Sequence, residues 1–210
     1  MKFYHAIFLV MVSLLTRSAN ASPESDFWSW FKKNENVIFN YESNQEAVFD
    51  QLATQMHKVN PTLTFEFGPK DDGRREFVIS ADGIKDSFPS VEKLYAAAPP
   101  LKKWKIIKFR PRREPFDIKY QGILVQAASV TVAITRNGSK AALTVLIPGY
   151  TKAKHDSYAG IAFLILDQAL GEYDVETRVG TIDVNAPSPQ YAQTKPLKAL
   201  PDVFDALLAR

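Results

Sequence analysis

The chain has 210 residues, with 26 Lys and Arg against 23 Asp and Glu, three histidines and no cysteine. The missing cysteines exclude disulfides, thiolate nucleophiles, a lipid-modified cysteine and Cys-ligated zinc or iron–sulfur centres. A near-balanced charge gives no whole-protein case for nucleic acid, which needs a basic surface, while 46% hydrophobic residues suffice for a sizeable core without cross-links.

Met1 to Ala21, "MKFYHAIFLVMVSLLTRSANA", has the form of a secretory signal. Lys2 supplies a positive start, Ala6 to Leu15 is an apolar run, and "ANA" at Ala19 to Ala21 offers small residues for cleavage. The run is shorter than the roughly 20 residues of a membrane-spanning helix, and no later run is long enough. Cleavage after Ala21 predicts a mature chain of 189 residues that starts at Ser22 and is secreted or periplasmic. Loss of Lys2 and Arg17 leaves it with 24 basic residues against 23 acidic. That length suits a single domain over residues 22–210, divisible into halves at 22–115 and 116–210.

In "SDFWSWFKKNENVIF", Ser25 to Phe39, the residues Phe27, Trp30, Phe31, Val37 and Ile38 share one arc of a helical wheel. The arc is about 120° wide, a core-facing stripe. The wheel predicts that Phe27, Trp30 and Phe31 are core residues and that Trp28 is the most exposed of the cluster. Ser22 or Ser25 is the expected cap, with Glu24 and Asp26 near the positive end of the helix dipole. A second helix is predicted from about Asn44 to Val59, with Val48, Phe49, Leu52, Met56 and Val59 on one face. Asn60-Pro61 ends it. Leu63, Phe65 and Phe67 then alternate with Thr64 and Glu66, the period of a half-buried strand. "GPKDDGRR" is a turn-rich link to the returning strand "REFVISADG". Pro89 opens a third helix through Val91, Leu94, Tyr95 and Ala98, stopped by Pro99-Pro100, and the strand "KWKIIKFRP" follows.

The second half repeats this order. "SVTVAIT" and "AALTVLI" flank Asn137-Gly138, a strong hairpin signal because both residues tolerate positive φ. A helix from about Asp156 to Leu170 is expected to end at Gly171. Its run "AGIAFLIL" is apolar all round, which predicts a helix sandwiched between layers. "EYDVETRVGTIDV" reads as a strand, and "NAPSPQYAQTKP" as a connector to a last helix, Pro201 to Leu208. The pattern predicts an α+β fold: a mostly antiparallel sheet with helices layered on it, in two ββαβ-like halves.

The ordered set "FWSWF", "ISADG", "WKIIKFRPR" and "LGEYD" resembles a family of bacterial exported proteins with no assigned activity. The resemblance covers Asp26 to about Val184. It implies one coherent fold and carries no catalytic residues with it.

Histidine chemistry has little to build on. His57 lies at the margin of the second helix and His155 in the loop "TKAKHD", and no HxxxH or HExxH spacing occurs. Neither Asp71-Asp72 nor Asp86 has the spacing of a calcium loop. No metal and no cofactor is expected. Neither a GxSxG elbow nor a phosphate-binding GxxxxGK[ST] loop is present. Ser80 in "ISADG" stands at a strand end beside Asp82, but as a nucleophile it lacks a local base; the plainer reading is a turn at Asp82-Gly83. "KKWKIIKFRPRR", Lys102 to Arg113, carries seven positive charges in twelve residues. It could contact an acidic ligand or protein partner, or be the solvated side of a strand. Glu172 and Asp174 of "LGEYD", read as just past a helix C-terminus, would oppose its dipole and gain from a cation. Arg110 or Arg112 is the geometric candidate.

Two functions follow from these residues. One is a non-catalytic binding or interaction protein, with Ser80, Asp82, Arg110, Arg112 and Glu172 as the candidate binding residues. The other is a hydrolase of envelope or extracellular substrates, with Asp82 and Glu172 as acid and base. Arg110 is expected to lie beside Asp82 or Glu172 in either case, as part of a site or as a salt bridge between the halves.

Overall fold

The computed structural model of the chain describes residues 22–191 and 193–209, so the expected signal segment lies outside the described residues. Ser22 caps helix α1 (Pro23–Lys33): its Oγ accepts from the Ser25 amide at 3.2 Å, and Pro23 takes a first-turn position where no N–H is needed. Asn34 then interrupts the helix and α2 (Glu35–Phe39) sets off anew. This break defeats a single wheel drawn through both segments. Trp28, expected to be the most exposed of the cluster, is only 3% exposed, and its indole N–H donates to the Leu94 carbonyl at 2.7 Å. Trp30 is only partly buried and Val37 faces solvent. Phe27 and Phe31 are core residues as expected.

Helix α3 (Gln45–Val59) lays Val48, Leu52 and Met56 on a three-stranded sheet. Strand β1 (Thr64–Asp71) turns at Asp72-Gly73, both at positive φ, into the antiparallel β2 (Arg74–Ser80). Helix α4 (Phe88–Ala96) carries the chain back to β3 (Trp104–Lys108), which pairs parallel to β2. One aromatic-rich core, from Phe27 to Phe109, fills this half.

The second half opens with a short hairpin absent from the sequence reading, β4 (Ile118–Tyr120) and β5 (Ile123–Val125). Strands β6 (Thr131–Asn137) and β7 (Lys140–Leu146) form the expected hairpin, but Asn137 pairs with Lys140 inside the ladder. Gly138-Ser139 therefore makes the turn, with positive φ at Gly138 and not at Asn137. Helix α5 (His155–Leu170) follows, then α6 (Glu172–Arg178) and β8 (Val179–Asn185), which runs parallel to β7. Strand β9 (Thr194–Pro196), inside the supposed connector, pairs with β6, and α7 (Leu200–Leu208) closes the second core.

Two expectations fail here. Helix α5 is not sandwiched: Phe163 is 46% and Leu164 38% exposed, while Ile161, Ile165 and Leu166 line the core. "EYDVETR" is helical rather than extended, because Gly171, at φ +79°, ends α5 and the acids at the start of α6 suit a helix N-terminus. The α+β class holds. Each half has a hairpin followed by a helical crossover to a parallel third strand, and four of the six strand pairings among the described residues are antiparallel. No helix among these residues is long and apolar enough to cross a membrane.

Candidate functional site

The seam between the halves forms where the parallel strands β2 and β3 end. Past β2 the chain turns through Asp82 (φ +53°) and Gly83 (φ +76°); past β3 it turns through Phe109 (φ +61°). A bulky residue in the left-handed region is an outlier that costs on the order of 1–3 kcal/mol. The two turns aim backbone amides at one point, and the Glu172 carboxylate from the other half sits there, fully buried. Its Oε1 accepts from Ala81 at 2.9 Å and Gly83 at 3.2 Å, and its Oε2 from Arg110 at 3.0 Å. The Glu172 amide returns a bond to the Arg110 carbonyl at 3.0 Å. This is a backbone nest filled by the protein's own carboxylate.

Arg110 is the second fastening. Its guanidinium meets Glu66 at 2.5 Å and Asp82 at 2.7 Å from its own half, and Asp167 of α5 at 3.5 Å. Burial works against its charge, but Asp82 and Glu66 outweigh burial and raise its pKa further. Asp167 goes the other way from a usual ion-paired acid. Burial pushes it up to about 7, Glu172 and Glu176 add to the push, and Arg110 counters only in part. The distances give the reason: the two nearer carboxylates already neutralise the guanidinium that Asp167 meets at longer range. Arg112 bonds Asp205 at 2.7 Å, Asp174 at 2.5 Å and the Leu170 carbonyl at 3.0 Å. Arg113 bonds Glu76 at 2.8 Å.

The expected juxtaposition of Arg110 with Asp82 and Glu172 is therefore present, with Glu172 meeting the backbone of Arg110 rather than its guanidinium. Ser80 is fully buried, and its Oγ accepts from the Asp82 amide at 2.9 Å, the turn its sequence allowed. Asp174 and Glu172 begin a helix instead of trailing one, so the expected dipole conflict does not arise. The arginines of the basic run are each matched by carboxylates, which removes the free positive charge that an acidic ligand at this seam would need.

Two cavities flank the seam. A cleft of about 360 Å³ is lined by Lys108, Phe109, Arg110, Arg112, Tyr173 and their neighbours. Buried Phe109 packs with tilted rings against Phe88 at 4.5 Å and Tyr173 at 5.2 Å, and Tyr173 keeps 49% of its surface exposed. Lys108 bridges both Glu92 oxygens at 2.8 Å on the rim. A smaller cavity of about 180 Å³ is lined by Glu66, Arg110, Phe116, Asp167 and others. Ser80, Asp82 and Glu172 line neither. The sequence did not single out Tyr173, Asp167 or Glu66; the signal available for Asp167 was its place as an acid directly after the apolar run of α5. His57 is exposed, and the exposed His155 meets the Tyr150 hydroxyl at 3.0 Å. Among the described residues no cluster of three or more His, Asp or Glu is arranged for a metal ion.

Comparison with protein-family models, with curated proteins and with solved structures found no match to this chain.

Proposed function

We propose that the protein is an exported, non-catalytic binding or interaction protein whose ligand occupies the cleft beside Phe109 and Tyr173. The observation that carries this reading is the engagement of Glu172. Both of its oxygens are held by three backbone amides with no solvent contact, and Asp82 is paired with Arg110. The buried Glu172 is a poor proton carrier, since a general acid or base must reach the reacting atom, and without it the exposed Asp82 lacks a second carboxylate of the expected pair. The cleft offers what a binding site needs: a volume within the range of about 300–1,000 Å³ typical of small-molecule sites, a half-exposed aromatic face and a polar rim. Export rests on the form of Met1 to Ala21 and on the resemblance to exported bacterial proteins.

One observation favours a second reading, a carboxylate hydrolase. Burial pushes the pKa of Asp167 up to about 7, it shares the smaller cavity with Glu66, and a carboxyl that keeps part of its protons at neutral pH is suited to act as an acid. A single experiment separates the readings. Thermal shifts are measured against panels of glycans, peptides and lipid headgroups for wild type and Tyr173→Ala, alongside turnover of chromogenic glycosides and esters by wild type and Asp167→Asn. Binding predicts a shift that Tyr173→Ala loses and no turnover dependent on Asp167. Turnover abolished by Asp167→Asn overturns the proposal in favour of the hydrolase.

A further inference from the structure

The seam uses the C-terminal ends of β2 and β3. Their N-terminal ends hold a different constellation, independent of the cleft and of the reading given to it. Arg75 and Trp104 are directly opposite in the parallel ladder, so their side chains leave the sheet on one face. Arg75 is only 3% exposed, with its guanidinium 4.4 Å from the Tyr41 ring centre and 5.7 Å from those of Phe39 and Phe67. Trp104 packs on the same two phenylalanines at 5.5 and 5.8 Å. The result is a well walled and filled by packed aromatic side chains, with a cation at its base.

The donors in this well outnumber their acceptors. Arg75 Nη2 donates to Glu42, but Arg75 Nε and Nη1 and the Trp104 indole N–H are buried with no partner among the described residues. Such orphaned donors are rare in native proteins and costly to leave unpaired. A guanidinium grips a carboxylate through one of two forks, Nε with Nη2 or Nη1 with Nη2. Here each fork contains one idle nitrogen. Lys70 and Lys103 lie 4.9 and 5.6 Å from the Phe39 ring centre, so three cations meet at the well with Glu42 as the one carboxylate bonded to Arg75. Glu42 belongs to a three-residue 3-10 turn, Tyr41–Ser43, and its side chain is 53% exposed, so it reaches in from the surface. The Arg75 bond holds its carboxyl down at about 2, so it stays charged there.

We propose that this well is a carboxylate-binding site, in which Glu42 is a tethered substitute that an incoming ligand carboxylate displaces. Once Glu42 swings out, Arg75 Nη2 and an idle neighbouring nitrogen form a full fork, Lys70 and Lys103 supply attraction, and the nearby Trp104 indole reports on the exchange. A small organic acid and a glutamate borne on a peptide share this chemistry.

The test follows the Trp104 indole N–H signal in nitrogen-15 NMR, identified by its loss in Trp104→Phe. Wild type and Glu42→Gln are titrated with acetate and with N-acetylglutamate amide, and with chloride at matched ionic strength. The expected result is a saturable shift with the carboxylates, none with chloride, and half-saturation at least about tenfold lower in Glu42→Gln, because the tethered competitor is gone. Preference for N-acetylglutamate amide assigns the site to a peptide-borne acid, and equal response to acetate assigns it to a free one. Glu42→Asp, which shortens the reach and keeps the charge, should also tighten binding. The proposal is overturned if the signal does not saturate in wild type, if chloride moves it equally, or if both Glu42 variants bind no tighter than wild type.

Discussion

Glu172→Gln is the most informative single change. The amide keeps the shape of the side chain, so its oxygen still accepts from Ala81 and Gly83, but its NH2 now confronts the Arg110 amide, donor against donor. Hydrogen bonds to a charged group contribute about 1.5–3 kcal/mol and neutral ones about 0.5–1.5. The two retained bonds therefore weaken by about 1 kcal/mol each, and the orphaned amide adds about 1–3 more. The expected loss is about 3–5 kcal/mol, a large share of the roughly 5–15 kcal/mol that holds a typical fold. Asp82→Asn is the contrast. It removes the more visible ion pair to Arg110, yet the Asp82 side chain is 58% exposed, and exposed pairs contribute about 1 kcal/mol or less. Urea unfolding at pH 7 measures both. All three tryptophans, Trp28, Trp30 and Trp104, lie in the first half, so fluorescence reports that half while circular dichroism reports both. Wild type should give coincident curves and Glu172→Gln should separate them. A loss under about 1 kcal/mol for Glu172→Gln, or an equal loss for Asp82→Asn, would refute the assignment of the seam to the buried carboxylate.

Other expectations are as direct. The pKa of Asp167 is raised from 3.8 to about 7 on folding, so its contribution to stability is complete below the unfolded value and is lost as pH rises through about 7. Urea midpoints should therefore fall between pH 5.5 and 7 by an amount equivalent to about 2 kcal/mol, and Asp167→Asn should flatten that part of the profile; an unchanged profile in the variant contradicts the burial argument. Trp28→Ala should cost about 3–5 kcal/mol and exceed Trp30→Ala, the reverse of what a straight helical wheel implies; equilibrium unfolding ranks them. Gly171→Ala should destabilise by about 1–3 kcal/mol, because a Cβ there would meet the Arg110 carbonyl at 3.1 Å and φ is +79°; a neutral substitution would show the close approach to be relaxed. Intact mass of the exported protein should begin at Ser22, and retention of Met1 to Ala21 would remove the secretory reading.

What could be read from the sequence was whatever depended on neighbours along the chain. Helix α3 declared itself through Val48, Leu52 and Met56 at helical spacing, and the hairpins through the turn-rich "GPKDDGRR" and through Asn137-Gly138, of which only Gly138 lies in the turn. Helix α6 did not, because Tyr173 and Val175 alternate like strand residues over only seven positions, and its place is fixed by the distant partners of Glu172. Helix α5 was ambiguous in principle: a run that is apolar all round has no face to assign, and only the packing leaves Phe163 and Leu164 outside. At the seam, Arg110 and Asp82 could be foreseen together because one helix joins their strands within a sheet. Glu66 and Asp167 could not, since no local pattern links them to Arg110 across 44 and 57 residues.

The nest around Glu172 also orders events in time. Its donors at Ala81 and Gly83 precede their acceptor by 91 and 89 residues, whereas each hairpin closes within a turn. Loop closure over such spans is slow relative to local pairing. Topology therefore favours an order in which the first half assembles while its strand ends still point at water and the second half docks later. An interaction formed after the rate-limiting barrier changes how fast a protein comes apart and leaves its rate of assembly alone. Glu172 then acts as a latch on the finished molecule, setting its lifetime once both halves have met.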